Sequence, residues 1–200
     1  MLGRQSAPSG EAGDAARRGR GEDAELIARI VRKDLRAFEA LYRAYHPRLT
    51  RFLNNLLRRA QLVEEVLNDT MMVVWNNSDR YNGKSKVSTW IFAIAYRKAL
   101  KALKRSDEPV EDKNAERRVS PDLGPEQQLG RRQAQDVLMS AINELSAEQR
   151  AVVDLTYFHE IGYREIAEIM ACPVDTVKTR MFHARRRLKT KLSGQLADWL

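Results

Sequence analysis

"YREIAEIMACPVDTVKTRMFHARRRLK", residues 163–189, holds two helical patterns joined by a corner of two or three residues. In the first, Ile166, Ala167 and Met170 share a side. Ala171-Cys172 follows, and Pro173 is placed to open the second helix, where no N–H donor is needed and φ is already helical. The small Ala167 allows the two helices to approach closely, so the stretch predicts a helix-turn-helix. Counting about 100° per residue round the second helix puts Val177, Met181, Ala184 and Leu188 within about 60° of one another, as a buried face. Asp175, Thr179, Phe182, His183 and Arg186 lie opposite, flanked by Lys178 and Arg185. Residues 172–191 carry seven Lys and Arg against one acid. A basic run alone fits an ordinary solvated helix. A phenylalanine among hydroxyl and basic groups on the outward face fits a DNA major groove better, with apolar contact to thymine methyls and polar contact to base edges. The candidate DNA-binding set is therefore Lys178, Thr179, Phe182, His183, Arg185 and Arg186. Arg187, Lys189 and Lys191 extend the charge for phosphate neutralisation. Cys172 reads as turn packing, and His183 as a surface histidine facing the groove.

The rest of the composition agrees. Formal net charge is +8 with a pI near 9.8, which favours an anionic partner. No apolar stretch approaches the roughly 18 residues that span a bilayer, and the N-terminus lacks the apolar block of a signal peptide. One cysteine cannot form an internal disulfide, which fits a reducing cytoplasm. Three scattered histidines and that cysteine give no metal-ligand spacing, so neither metal nor cofactor is expected. "HEIGY" at 159–163 lacks the second histidine of a zinc-protease helix, and no catalytic cluster points to an enzyme.

Outward from the helix-turn-helix, the pattern is helical almost throughout and strand-like alternation is absent. Residues 1–23, with four arginines against four acids and no apolar period, predict a disordered tail. Leu26, Ile27, Ile30 and Val31 make a first stripe. Asp34 is placed to cap a helix bearing Phe38, Leu41, Tyr42 and Tyr45 at i, i+3, i+4 and i+7. Pro47 predicts a break or kink, beyond which Leu49, Phe52, Leu53, Leu56 and Leu57 continue the stripe. A third helix over 61–76 is apolar nearly all round from Met71 to Trp75, which predicts deep burial there. A polar, glycine-containing loop leads to a fourth helix over 86–105. Residues 106–124, with two prolines and six acids, predict a flexible acidic linker. Helical pattern resumes near Pro125, and Ser146 with Gln149 makes a capping box. The fold class is all-α: two small helical domains, 24–105 and 125–200, the second a helix-turn-helix.

The fourth helix is a second basic element. It carries Arg97, Lys98, Lys101, Lys104 and Arg105, with no acid from Ile91 to Arg105. Before it, "YNGKSKVSTW" mixes hydroxyls, an amide and lysines, a chemistry able to surround an unstacked base or to serve as an ordinary polar loop.

From Ala24 to Leu192 the chain resembles an extracytoplasmic-function (ECF) sigma factor of the sigma-70 family. "DLRAFEALYRAYHPRLTRFL", "VEEVLNDTMMVVWNN", "YNGKSKVSTWIFAIAYRKAL", a spacer and "LSAEQRAVVDLTYFHEIGYREIAEIMACPVDTVKTRMFHARRRLK" stand in the right order and spacing. The resemblance implies an alternative sigma factor, not an enzyme, that serves a stress or envelope regulon. The first domain would bind core RNA polymerase and open the −10 promoter element. The second would hold the −35 element. The loop matching Asn82–Thr89 would receive a flipped −10 base. The −10 set would be Asn82, Lys84, Ser85, Lys86, Ser88 and Thr89 with Arg97, Lys98 and Lys101. The helix over 61–76 would dock on a polymerase coiled coil through Glu64, Glu65, Asn68, Asp69, Met72 and Trp75. The acidic linker would run towards the RNA exit path. A helical anti-sigma protein would be the antagonist, and the site of action the cytoplasmic nucleoid. Asn68-Asp69 departs from the usual Gln-Glu or Gln-Asp, Met71 from an aromatic, and Gly162 from a Ser or Thr cap.

Two duplex turns measure about 70 Å. A tether from Ser106 to Gly130, 25 residues, spans up to about 85 Å, so both domains can reach one promoter. A conventional helix-turn-helix regulator would instead need a ligand pocket or phospho-acceptor in the first half, and its sequence shows neither.

Overall fold

A computed structural model describes residues 21–106 and 138–196, all helix and connecting turn, with no strand among them. The acidic linker beyond Ser106, the helix start near Pro125 and most of the expected N-terminal tail lie outside the described residues. Residues 21–23, read from the sequence as the end of that tail, form the first turn of α1 (21–31). Tyr45 explains this: its hydroxyl donates to Asp23 Oδ2 at 2.5 Å and ties the turn down. Burial pushes the Asp23 carboxyl above its ordinary value, against the lowering effect of that hydrogen bond.

Asp34 caps α2 (Leu35–Leu57) as its sequence position implies, accepting from the Arg36 and Ala37 amides. Its other oxygen accepts from Arg29, and these hydrogen bonds hold the carboxyl below the usual range. The expected break at Pro47 does not occur, because α2 runs through it as one helix. Leu41, Tyr45, Leu49 and Phe52 are buried on both sides of Pro47, while the proline itself is exposed. Packing of that continuous stripe outweighs one lost backbone hydrogen bond.

Helix α3 (Ala60–Asn76) and helix α4 (Val87–Ser106) pack on α2 and on each other. The deep burial expected from Met71 to Trp75 holds for Met71 and Val74 only; Met72 is 54% exposed. An α3 packed from one side must turn some residues outward, whatever their hydropathy.

In the second half, α5 (138–143) leads to α6 (Ala147–Tyr157), α7 (Tyr163–Met170) and α8 (Val174–Leu196). The capping box is formed: the Gln149 amide donates to Ser146 Oγ, and the Ser146 amide to Gln149 Oε1.

The two halves are not separate beads. Helix α2 packs against α6, and α4 against α7, so the buried side chains of both halves form one apolar cluster. At its centre Phe92 meets Phe52 (centroids 5.3 Å apart) and His159 (4.8 Å). Polar ties ring this centre. Asn55 donates to Asp154 Oδ1 at 2.5 Å, Arg58 donates to Asn143, and Arg150 donates to the Leu56 carbonyl at 3.1 Å. Burial pushes the Arg150 guanidinium down to about 10, with Arg58 adding to the shift. His159 Nε2 stands 3.2 Å from Asp154 Oδ2, but the two are not aligned as a hydrogen bond.

This cover explains why residues 91–96 of α4 are buried on every side. Burial pushes the Tyr96 phenol up to about 12. An unfolded tyrosine titrates near about 10. The fold favours the neutral phenol, so its stabilisation is complete below about pH 10 and lost as pH rises through about 12. Thermal melts from about pH 9 to about pH 12 should therefore fall less steeply in Tyr96→Phe than in the parent. Equal slopes would refute this assignment.

Candidate nucleic-acid interface

The corner between α7 and α8 is built as the sequence implies, with one shift. Ala171 takes the left-handed conformation (φ 50, ψ 48), and its amide bonds back to α7. The Cys172 amide donates to the Ala167 carbonyl at 3.0 Å. Pro173 sits just before the first residue of α8 rather than within it, and its carbonyl accepts from Thr176 and Val177. Gly162 begins α7 with no side-chain cap.

Helix α8 then divides as its period requires. Val177, Met181 and Ala184 are buried, and Leu188 is half-buried. Lys178, Thr179, Phe182, His183, Arg185 and Arg186 are all exposed on the outward side. Phe182 is 62% exposed, and its ring meets His183 edge-on at 5.5 Å. Lys178 pairs with Asp175 at 3.0 Å, and Thr179 Oγ1 donates to the Asp175 carbonyl at 2.8 Å. Arg185 Nε donates to the Tyr157 hydroxyl at 3.1 Å, a contact no local sequence signal announces. Beside this face a cleft of about 360 Å³ is lined by His183, Arg186, Arg187, Thr190, Lys191 and Glu144. Glu144 accepts Lys191 at 2.7 Å. That lysine, expected to meet phosphate, is partly neutralised within the chain.

The second candidate surface lies on the first half. Asn82 and Gly83 make a turn in which Gly83 has φ +71, a conformation that favours glycine. Asn82 Oδ1 accepts the Lys84 amide, and Tyr81 donates to the Ser85 carbonyl at 2.7 Å. Asn82 and Lys84 are exposed; Ser85, Lys86 and Ser88 are half-buried; Thr89 is buried. Lys86 forms a salt bridge with Glu165 of α7, and Thr89 Oγ1 lies 3.4 Å from the same carboxylate. Glu165 was invisible as a site residue in the sequence, since 76 positions separate it from Thr89.

Arg97, Lys98 and Lys101 project from α4, Lys98 towards Asp69 at 2.9 Å. Arg105 reaches Glu65 at 3.3 Å. These exposed pairs contribute under about 1 kcal/mol each, so a phosphate can displace the carboxylates. They also join the basic side of α4 to the outer face of α3, where Glu64, Glu65, Asn68, Asp69 and Met72 are exposed. Trp75 is half-buried, edge-on to Phe38 at 5.1 Å and with Lys33 Nζ over its ring at 5.2 Å. No cluster of side chains able to hold a metal ion occurs among the described residues, and no helix among them is long and apolar enough to cross a membrane.

Comparison with known proteins places both halves. Residues 41–108 match the sequence model of sigma-70 region 2, and residues 135–188 that of sigma-70 region 4, together more than half of the chain. The chain is 26% identical over 180 residues to the ECF RNA polymerase sigma-E factor of Haemophilus influenzae, covering 85% of this chain and 95% of that protein. It is 29% identical over 172 residues to the ECF RNA polymerase sigma factor RpoE of Cereibacter sphaeroides, covering 84% and 93%. The solved structure of the sigma factor RpoE of Bartonella quintana, in complex with the anti-sigma factor NepR, shares the fold. Its TM-score is 0.62 at 24% identity, over 78% of this chain and 96% of that one. With region 2 and region 4 in order on one all-helical chain, and such relatives along nearly its whole length, this protein belongs to the sigma-70 family, in its extracytoplasmic-function branch.

Proposed function

We propose that the chain is an alternative sigma factor that binds core RNA polymerase, recognises the −10 and −35 promoter elements and directs initiation at a stress or envelope regulon. In this reading α8 enters the major groove of the −35 element with Phe182 and Arg186 at its centre. The loop from Asn82 to Thr89 takes an unpaired −10 base, and Arg97, Lys98 and Lys101 follow the adjoining phosphates. The outer face of α3 docks on the polymerase. The observation that carries the reading is the outward Phe182–Arg186 face of a helix-turn-helix, on a chain whose first half presents a separate basic helix. The chemistry of initiation belongs to the polymerase, so the chain acts in the cytoplasm, at the nucleoid. The Bartonella relative's complex with an anti-sigma factor supports an anti-sigma protein as antagonist.

The test is reconstitution. Mixed with core polymerase, the full chain should co-migrate with it and yield a transcript from its cognate promoter, while binding duplex DNA only weakly alone. Tight, specific duplex binding without polymerase would instead favour a conventional regulator.

A further inference from the structure

One basic side chain of α8 is held by a residue outside the helix-turn-helix. Tyr157, the last residue of α6, belongs to none of the DNA-binding positions assigned above, yet it is 54% exposed. Its hydroxyl oxygen accepts Arg185 Nε at 3.1 Å, and the guanidinium carbon stands 5.8 Å from its ring centre. Lys178, Phe182 and Arg185 stand at i, i+4 and i+7 on α8, so this guanidinium shares a row with the exposed Phe182. Hydrogen-bond accounting shows what the pair leaves open. Arg185 uses Nε and keeps the N–H donors of both Nη groups; the tyrosine oxygen accepts that bond and keeps its own O–H to donate. Lys178 meets Asp175 and Lys191 meets Glu144, whereas among the described residues no carboxylate pairs with Arg185. A neutral phenol therefore fixes the guanidinium without cancelling its charge. Helices α6 and α8 already pack together, and one exposed hydrogen bond adds little to that. Its consequence is where it aims Arg185.

We propose that Tyr157 and Arg185 form a clamp for one backbone phosphate at the edge of the groove that α8 enters, with Tyr157 both aiming the guanidinium and donating its own O–H to the phosphate. The proposal rests on the sigma-factor reading above and adds a residue of α6 to the −35 surface. A planar guanidinium and a hydroxyl beside it match the acceptor oxygens of a phosphodiester. An arginine held in place before binding loses less side-chain freedom when the phosphate arrives. Both residues belong to the second half, so the clamp needs no contact with the first.

The experiment uses holoenzyme made from the full chain and core polymerase. The probe is a −35 duplex selected from a random-sequence library by the parent holoenzyme. Tyr157→Phe keeps the ring and removes the hydroxyl; it should weaken duplex binding about two- to tenfold, the range of one hydrogen bond. Arg185→Ala should weaken it at least as much and lower the dependence of log binding on log salt by about 1. Neutral methylphosphonates are then placed in the duplex backbone one position at a time. At one position the replacement should weaken the parent about threefold or more, and there it should cost neither variant anything further. A loss of packing alone would not single out one phosphate. Equal losses at every position in the parent and in Tyr157→Phe, or unchanged binding by Tyr157→Phe, overturn the clamp and leave the sigma-factor reading standing. A parent holoenzyme that selects no duplex from the library overturns the reading and the clamp together.

Discussion

Replacing Phe92 with alanine is expected to remove about 3–5 kcal/mol of stability. Phe92 is fully buried, at 0% exposure. It is edge-on to Phe52 at 5.3 Å, against His159 at 4.8 Å, and under the Arg48 guanidinium at 5.5 Å. Alanine would open a cavity where α2, α4 and the α6–α7 turn converge, and no single neighbour can collapse into it. The loss should appear in urea unfolding followed by circular dichroism, as a lower midpoint with little change in slope. Phe92→Leu should lose much less, because most of the volume remains. A shift under about 1 kcal/mol in Phe92→Ala would mean that the halves do not share a core.

The second large effect concerns recognition without stability. Phe182→Ala or Arg186→Ala should weaken binding of the polymerase holoenzyme to a −35 duplex by about 1–3 kcal/mol, roughly 5- to 150-fold. Both side chains are exposed, so the unfolding midpoint should stay within about 0.5 kcal/mol of the parent. Arg186→Ala should also lower the dependence of log binding on log salt by about 1 if its contact is to phosphate, and leave the slope alone if its contact is to a base edge. Equal loss of DNA binding and of core polymerase binding would point to misfolding and refute the assignment.

The sequence was most informative where one local rule decides the outcome. The faces of α8 follow from a 3.6-residue period, so the burial of Val177, Met181 and Ala184 and the exposure of Phe182 were legible at once. The Asp34 cap and the Ser146–Gln149 box were equally legible, since both bonds close within three residues. Pro47 does not end α2, because its local effect is small beside the packing of the residues around it. Met72 misled because hydropathy records what can be buried, while only the number of covering neighbours decides what is.

By itself the chain determined its helices, their caps, the tight corner before α8 and the two positively charged faces, because each depends on residues a few positions apart. Only the tertiary structure decided that α4 is covered on both sides, that His159 and Phe158 belong to a contact with the first half, and that Glu165 meets Lys86. Those pairings join residues roughly 65 to 110 positions apart, and no periodicity carries information over such a distance. They are set by which apolar faces remain uncovered once the helices of each half have packed.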